Sequence, residues 1–202
     1  MIGNYIKAVA AAVNRTTAQL MKTGQTISYR TGDDGDLERG RNVSFTTLAE
    51  NNVFGNTNRF TDELGGQTYT KNIVIDWSTY NGSTVLGWRR TLNGAFVNWN
   101  TAIDGALAVS IAPFTTGWRL PNVQELMSIC VWNTNWRFNY APFNIANSFD
   151  IWSSTTDPTS TSRAAVVWGS MLAGFSAQTK TTSSSMMYFP CRTFTVTGTT
   201  LS

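Results

Sequence analysis

The stretch Gly117-Trp118-Arg119-Leu120-Pro121-Asn122-Val123-Gln124-Glu125-Leu126 constrains the fold of this chain most, because it joins an aromatic anchor to a helix start within ten residues. Pro121 disfavours helical geometry at Leu120 and so sets a boundary. Asn122 can cap the free N–H groups of the next turn, and Glu125 stands three residues on, as in a capping box. The pattern predicts a helix beginning at Val123, with Leu126, Ile129 and Cys130 on its apolar face. Trp118 is then expected where that helix meets a sheet.

The 202 residues suffice for one domain, or one domain with a short arm; a domain of this size buries roughly 70 % of the unfolded chain's surface. Only 13% of the residues are charged, whereas there are 30 Thr, 17 Ser and 18 Asn. The surface is therefore neutral and polar. Thr and the aromatics favour strands while Asn, Gly and Ser favour turns, which predicts a strand-rich domain with long connections.

A net charge of +3 spread along the chain builds no basic stripe able to neutralise several phosphates, so nucleic acid is not an expected partner. Arg39/Arg41 and Arg89/Arg90 read as solvated or locally paired side chains. The chain has no histidine, which removes the usual general base, the usual zinc ligand and every Ser-His-Asp or Cys-His arrangement. Cys130 and Cys191 lie far apart with no CxxC spacing, so no metal site is expected, and two buried thiols are favoured over a disulfide. No segment approaches the roughly 20 apolar residues that span a bilayer. The run Ala8 to Val13 is short for a signal-peptide core, so neither membrane insertion nor general secretory export is expected.

Ile2, Ile6, Val9, Val13, Thr16 and Leu20 alternate at spacings of four and three, the pattern of a coiled-coil seam. β-Branched residues at both seam positions tilt the preference towards trimers, although so short a coil needs support from elsewhere. The alternative is an amphipathic helix packed on its own domain or docked on a larger assembly. Residues 1–22 are thus expected as an N-terminal helix, and 23–202 as the domain.

Past this helix, Thr31-Gly32-Asp33-Asp34-Gly35-Asp36 carries turn chemistry, and its acidic spacing does not match a calcium-binding EF-hand loop. Short extended pieces are expected from Asn42 to Gly66. Ile73-Val74-Ile75 and Val85 to Arg90 flank a turn at Asn81-Gly82 and predict a hairpin. Asn98 can cap a second helix with Ala102, Ile103, Ala106 and Leu107 on one face. Trp132, Trp136, Phe138, Tyr140 and Phe143, interleaved with Asn and Arg, read as a long aromatic loop. Strands are expected at Ile151 to Thr156, Ala164 to Trp168 and Met186 to Phe194.

Thr23-Gly24-Gln25-Thr26, Thr31 to Leu37, Arg59-Phe60-Thr61-Asp62, Trp118 to Asn122 with Glu125-Leu126, Trp152-Ser153-Ser154-Thr155 and Cys191-Arg192 together resemble the C-terminal domain of collagen-like bacterial adhesins. That family is similar to the C-type lectin and formylglycine-generating-enzyme folds. The resemblance implies an α+β class: a C-type-lectin-like domain with two helices and twisted antiparallel sheets, preceded here by the short N-terminal helix. Trp118, Leu120 and Trp152 then become core, and the signature marks a scaffold instead of a site.

The expected function is non-enzymatic, with no catalytic residue, cofactor or metal. The short trimerising or docking helix, neutral surface and lack of an export signal suit a phage virion protein, made in the host cytoplasm and displayed at the virion surface as a fibre tip or head decoration. Such a homotrimer would bind a host-surface glycan or protein, and would meet other virion proteins through its N-terminal helix. The expected ligand-binding residues are Trp132, Trp136, Phe138, Tyr140 and Phe143, with Trp168 and Phe175 as secondary candidates. Trp136, Phe138 and Tyr140 are the members expected to be exposed, since flat aromatic faces stack on sugar rings while amides bond hydroxyls. The alternatives are a purely structural capsid or tail decoration and a glycan-binding adhesin at the bacterial cell surface. An oxidase of the formylglycine-generating kind would need a cysteine pair and copper, and the placement of Cys130 in a helix and Cys191 in a terminal strand does not suit it.

Overall fold

A computed structural model describes residues 27–37, 44–67, 72–131, 138, 140–143, 145, 149–169, 174–184 and 186–202. The elements run α1 (Asp34–Leu37), β1 (Phe60–Thr61), β2 (Ile73–Asp76), β3 (Thr84–Arg89), α2 (Trp99–Leu107), β4 (Trp118–Arg119), α3 (Val123–Ser128), β5 (Asp150–Asp157), β6 (Ser160–Trp168), β7 (Phe175–Thr179), β8 (Met186–Met187), β9 (Cys191–Thr197) and β10 (Thr200–Leu201). One sheet has the order β1-β2-β3-β9-β10, with β4 also paired to β9; the other has the order β7-β6-β5-β8.

The expected hairpin is β2–β3, in register Ile73↔Arg89 to Asp76↔Leu86. Its connection is closed by the Asn81 side chain, whose Oδ1 accepts from the Ser83 and Thr84 amides at 3.0 and 2.8 Å. Because successive strand residues point to opposite faces, Ile73 and Ile75 enter one core cluster with Val85, Trp118 and Phe194, while Val74 enters another with Leu86, Trp88, Leu126 and Phe189. Gly87 lets the Phe194 ring lie across β3: a Cβ there would come within 2.5 Å of the ring. The second sheet is likewise covered on both faces, with Ile151 and Val167 joining the Trp88 cluster. Trp152, Ala164 and Val166 pack instead with Ala102 and Ala106 of α2.

Both expected helix starts are present. Asn98 Oδ1 accepts from the Thr101 amide ahead of α2, and Asn122 with Glu125 forms a reciprocal capping box ahead of α3. The α+β, C-type-lectin-like class expected from the resemblance is nevertheless overturned, because the domain is mostly β. The two capped helices are only 9 and 6 residues long, and Ile129 already caps the C-terminus of α3, so Ile129 and Cys130 reach the core from beyond the helix. Strong start signals announced helices that Thr-rich extended chain then outweighed. The sheets are also not wholly antiparallel, since β5 and β8 run parallel. The N-terminal helix expected over residues 1–22, with its seam Ile2, Ile6, Val9, Val13, Thr16 and Leu20, lies outside the described residues.

The opening motif proves to be a fastening. Trp118 and Arg119 form β4, opposite Arg192 and Cys191 of β9. The Trp118 indole donates to Phe114 O at 2.8 Å. Ser154 N donates to Pro121 O at 2.7 Å, and Val123 N to Thr155 Oγ1 at 3.0 Å, so the Trp152-to-Thr155 segment is bonded to the Leu120-to-Val123 segment. Trp118 and Trp152 are fully buried, each contributing about 2 to 3 kcal/mol. Arg119 grips both Glu125 oxygens, at 2.8 and 2.6 Å. Cys130 and Cys191 are both reduced and buried, and burial pushes the Cys191 thiol up to about 12.

Candidate functional site

Helix α2 shows how a surface groove arises from a core-facing helix. Ala102 and Ala106 are buried against the second sheet, which turns Thr101, Asp104, Gly105 and Ala108, at i, i+3, i+4 and i+7, towards the opposite side. These four residues form one wall of an open groove of about 580 Å³, within the size range of ligand sites. The segment Asn93 to Val97 forms the second wall, and Tyr188 closes the end.

The second wall is held by backbone bonds to the chain around β8. Asn93 N donates to Tyr188 O at 3.2 Å, Tyr188 N donates to Asn93 Oδ1 at 2.7 Å, and Val97 N donates to Met186 O at 2.8 Å. Asn93 Nδ2 also donates to Ala95 O, so this buried side chain is spent on shaping the wall. Tyr188 lies directly on the helix: a Cβ at Gly105 would sit 2.3 Å from its hydroxyl oxygen. Gly105 is thus the residue that admits the phenol.

Among the described residues, no protein group pairs with the Thr101 hydroxyl, the Asp104 carboxylate or the Tyr188 hydroxyl. Thr101 and Asp104 are exposed and Tyr188 is half-buried, and these three polar residues share the groove lining with backbone and small apolar side chains. That set suits recognition of a polyhydroxylated ligand. At the neighbouring surface Phe96 is 44% exposed, with its ring edge-on to Phe149 at 5.5 Å.

The aromatic residues expected to bind ligand fall elsewhere. Phe138 is only 2% exposed and Phe143 is also buried; both pack on Phe189, at 6.4 and 5.1 Å between ring centroids. Tyr140 is half-buried, edge-on to Phe45 and Phe143, with its hydroxyl donating to Ile129 O at 2.7 Å. The expectation that Phe138 and Tyr140 face solvent is corrected accordingly, since these rings complete the core around Trp88 and Phe60. Trp132 and Trp136 lie outside the described residues. Phe175 is 58% exposed, whereas Trp168 packs on the α2 side with its indole donating to Ser176 Oγ at 2.8 Å. Phe175 stands opposite Val167, so it shares a face with Val167 and not with Trp168. The structure does not assemble these two into one surface.

Asn93, Thr101, Asp104, Gly105 and Tyr188 were missed by the sequence reading. The signal for part of the set was available, because the helical spacing that places Ala102 and Ala106 inside also aligns the polar stripe outside.

Comparison with curated proteins and with solved structures finds no match. The family comparison does: residues 78–192 match the Lcl C-terminal domain. The matched region contains α2, the groove, the Trp118-to-Leu126 fastening and its partner Trp152-to-Thr155 segment, and it ends at Arg192. Thr23 to Leu37 and Arg59 to Asp62 precede it. With more than half of its length matched, the chain belongs to the Lcl C-terminal domain family.

Proposed function

We propose that this protein is a non-enzymatic binding module that contacts a cell-surface glycan or protein as a homotrimer, displayed on a phage virion as a fibre tip or head decoration. The observation that carries the binding reading is the α2 groove, lined by the polar side chains of Thr101, Asp104 and Tyr188. A chain without histidine supports recognition over hydrolysis. The trimer is supported by the seam from Ile2 to Leu20 and by the exposed apolar side chains Ile27, Tyr29 and Leu37, which a neighbouring subunit would cover. Three weak sites on one particle-borne trimer would reinforce one another through effective concentration.

Membership of the Lcl C-terminal domain family favours a second setting for the same activity, an adhesin at the bacterial cell surface. Both settings are tested by glycan-array binding of the full chain, with Tyr188→Ala as control and the oligomeric state read by light scattering. Binding that Tyr188→Ala weakens supports the groove. Binding indifferent to that substitution moves the site elsewhere, and a monomer at micromolar concentration removes the trimer.

A further inference from the structure

We infer that Arg163 closes the open edge of β7 against strand pairing with a second copy of this chain. The edge is separate from the α2 groove and independent of what that groove binds.

β7 (Phe175–Thr179) is the outer strand of the β7-β6-β5-β8 sheet, so one side of its backbone pairs with β6 and the other faces outward. The register Arg163↔Thr179 to Val167↔Phe175 fixes which residues face which way. One step beyond it, Lys180 N donates to Ser162 O at 2.9 Å, so these two form a hydrogen-bonded pair. Hydrogen-bonded and non-hydrogen-bonded pairs alternate along an antiparallel ladder. Ala164/Gln178 and Val166/Ser176 are therefore the bonded pairs, and Phe175, Ala177 and Thr179 turn their N–H and C=O groups to the outer edge. Such a row is a template for another strand. Here it is symmetric about Ala177: two copies of β7 laid antiparallel would set Ala177 against Ala177 and Phe175 against Thr179, the self-complementary arrangement of a two-fold interface. The central pair would exchange two N–H···O=C bonds and so needs the Ala177 carbonyl on both chains.

That carbonyl is taken. Arg163 Nη2 donates to Ala177 O at 2.7 Å, which carries a charged side chain from β6 across β7 to its outer edge. Nη1 of the same guanidinium lies 3.6 Å from Asp157 Oδ2, and Asp157 Oδ1 accepts from the Thr159 amide and hydroxyl at 2.9 and 2.7 Å. The arm is thus anchored at the β5–β6 turn. The next outward carbonyl is also occupied, since Thr179 O accepts from Thr182 N at 2.9 Å. A second copy would have to displace the guanidinium and bring two like charges to the same point. β7 itself carries no charged residue, and Phe175 is exposed, so the strand holds no charge of its own to keep a neighbour off.

Light scattering and amide hydrogen exchange on the full chain, parent against Arg163→Ala at equal concentration, test this. Arg163→Ala should at least double the mass of the parent particle, and the Ala177 and Thr179 amides should become more protected than in the parent. Ala177→Pro added to Arg163→Ala should restore the parent's mass, because proline removes the outward N–H that the symmetric pair needs and leaves the β6 ladder intact. Phe175→Lys added to Arg163→Ala should do the same by returning a charge to the edge, with circular dichroism and melting temperature showing which double variants fold. An Arg163→Ala protein with the parent's mass and exchange pattern would overturn the inference. Association in which the Ala177 and Thr179 amides gain no protection, or which a folded double variant fails to reverse, would overturn it as well.

Discussion

Arg59 and Asp76 meet as a two-point ion pair with both side chains 0% exposed: Nε donates to Oδ1 at 2.8 Å and Nη2 to Oδ2 at 2.7 Å. The guanidinium lies between the Phe45 and Phe60 rings, at 4.3 and 4.5 Å. It also donates to Phe45 O and to Ser128 O, at 3.2 and 2.8 Å. A residue beside β1 thereby ties β2 to the end of α3. Ser78 adds an amide and a hydroxyl bond to Asp76 Oδ1, at 3.1 and 2.6 Å. Removing one partner strands a charge in the core, so Asp76→Ala should cost about 3 to 5 kcal/mol. Denaturant unfolding measures it, and a loss below 1 kcal/mol, the range of an exposed pair, would contradict the account.

Glu125 links the capping box to Arg119. Burial pulls its carboxyl pKa upward, but the Arg119 fork and the Asn122 amide outweigh that and hold it below the ordinary value. A depressed folded value stabilises above the unfolded pKa of about 4.3, and the contribution is lost as pH falls through the folded value. Glu125→Gln should therefore be less stable at pH 7 by about 1 kcal/mol or less, because Arg119 is 39% exposed and the pair is partly screened. The gap should close below about pH 4. Melting temperatures of both proteins across that range decide it, and a gap that persists in acid would assign the loss to geometry.

The fastening around Trp118 could be read from sequence because its determinants are local. A capping box spans four residues, and a hairpin needs a turn between two apolar runs. The bonds from Ser154 to Pro121 and from Val123 to Thr155 join segments some thirty residues apart, which no local period encodes. The groove has the same character, since its walls come from α2, from Asn93 to Val97 and from Tyr188. The aromatic run from Phe138 to Phe143 misled for a different reason. Alternation with Asn imitates an exposed binding surface, yet Phe189, Phe60 and Trp88 present a core that those rings complete.

Asp150 opens β5 with a carboxyl that burial pushes up to about 6. Its unfolded value is about 3.9. A raised folded value means that the native state holds the proton longer, so stability falls as pH rises from about 4 through about 6. Asp150→Asn should raise stability at pH 7 by about 1 kcal/mol, allowing for solvent screening of a half-buried group, and should leave it unchanged near pH 3.5. Equal gains at both pH values would show that the amide helps by packing and not by removing charge.

Gly105 separates the needs of the helix from those of the groove. In an unobstructed helix interior, Gly→Ala stabilises by roughly 0.8 to 1 kcal/mol, because alanine loses less backbone entropy on folding. At this position the new Cβ would stand 2.3 Å from the Tyr188 hydroxyl oxygen and 2.8 Å from Cζ, closer than any contact can be. The phenol is the far end of its side chain and can swing, whereas the Tyr188 backbone is pinned by Asn93 on both its N–H and its C=O. Gly105→Ala should therefore fold with stability within about 0.5 kcal/mol of the parent, the propensity gain being offset by displacement of the ring. Glycan binding should fall at least as far as in Tyr188→Ala. A variant stabilised by the full helix increment with binding unchanged would show that Tyr188 relaxes without loss, and that its position on α2 is not what the groove depends on.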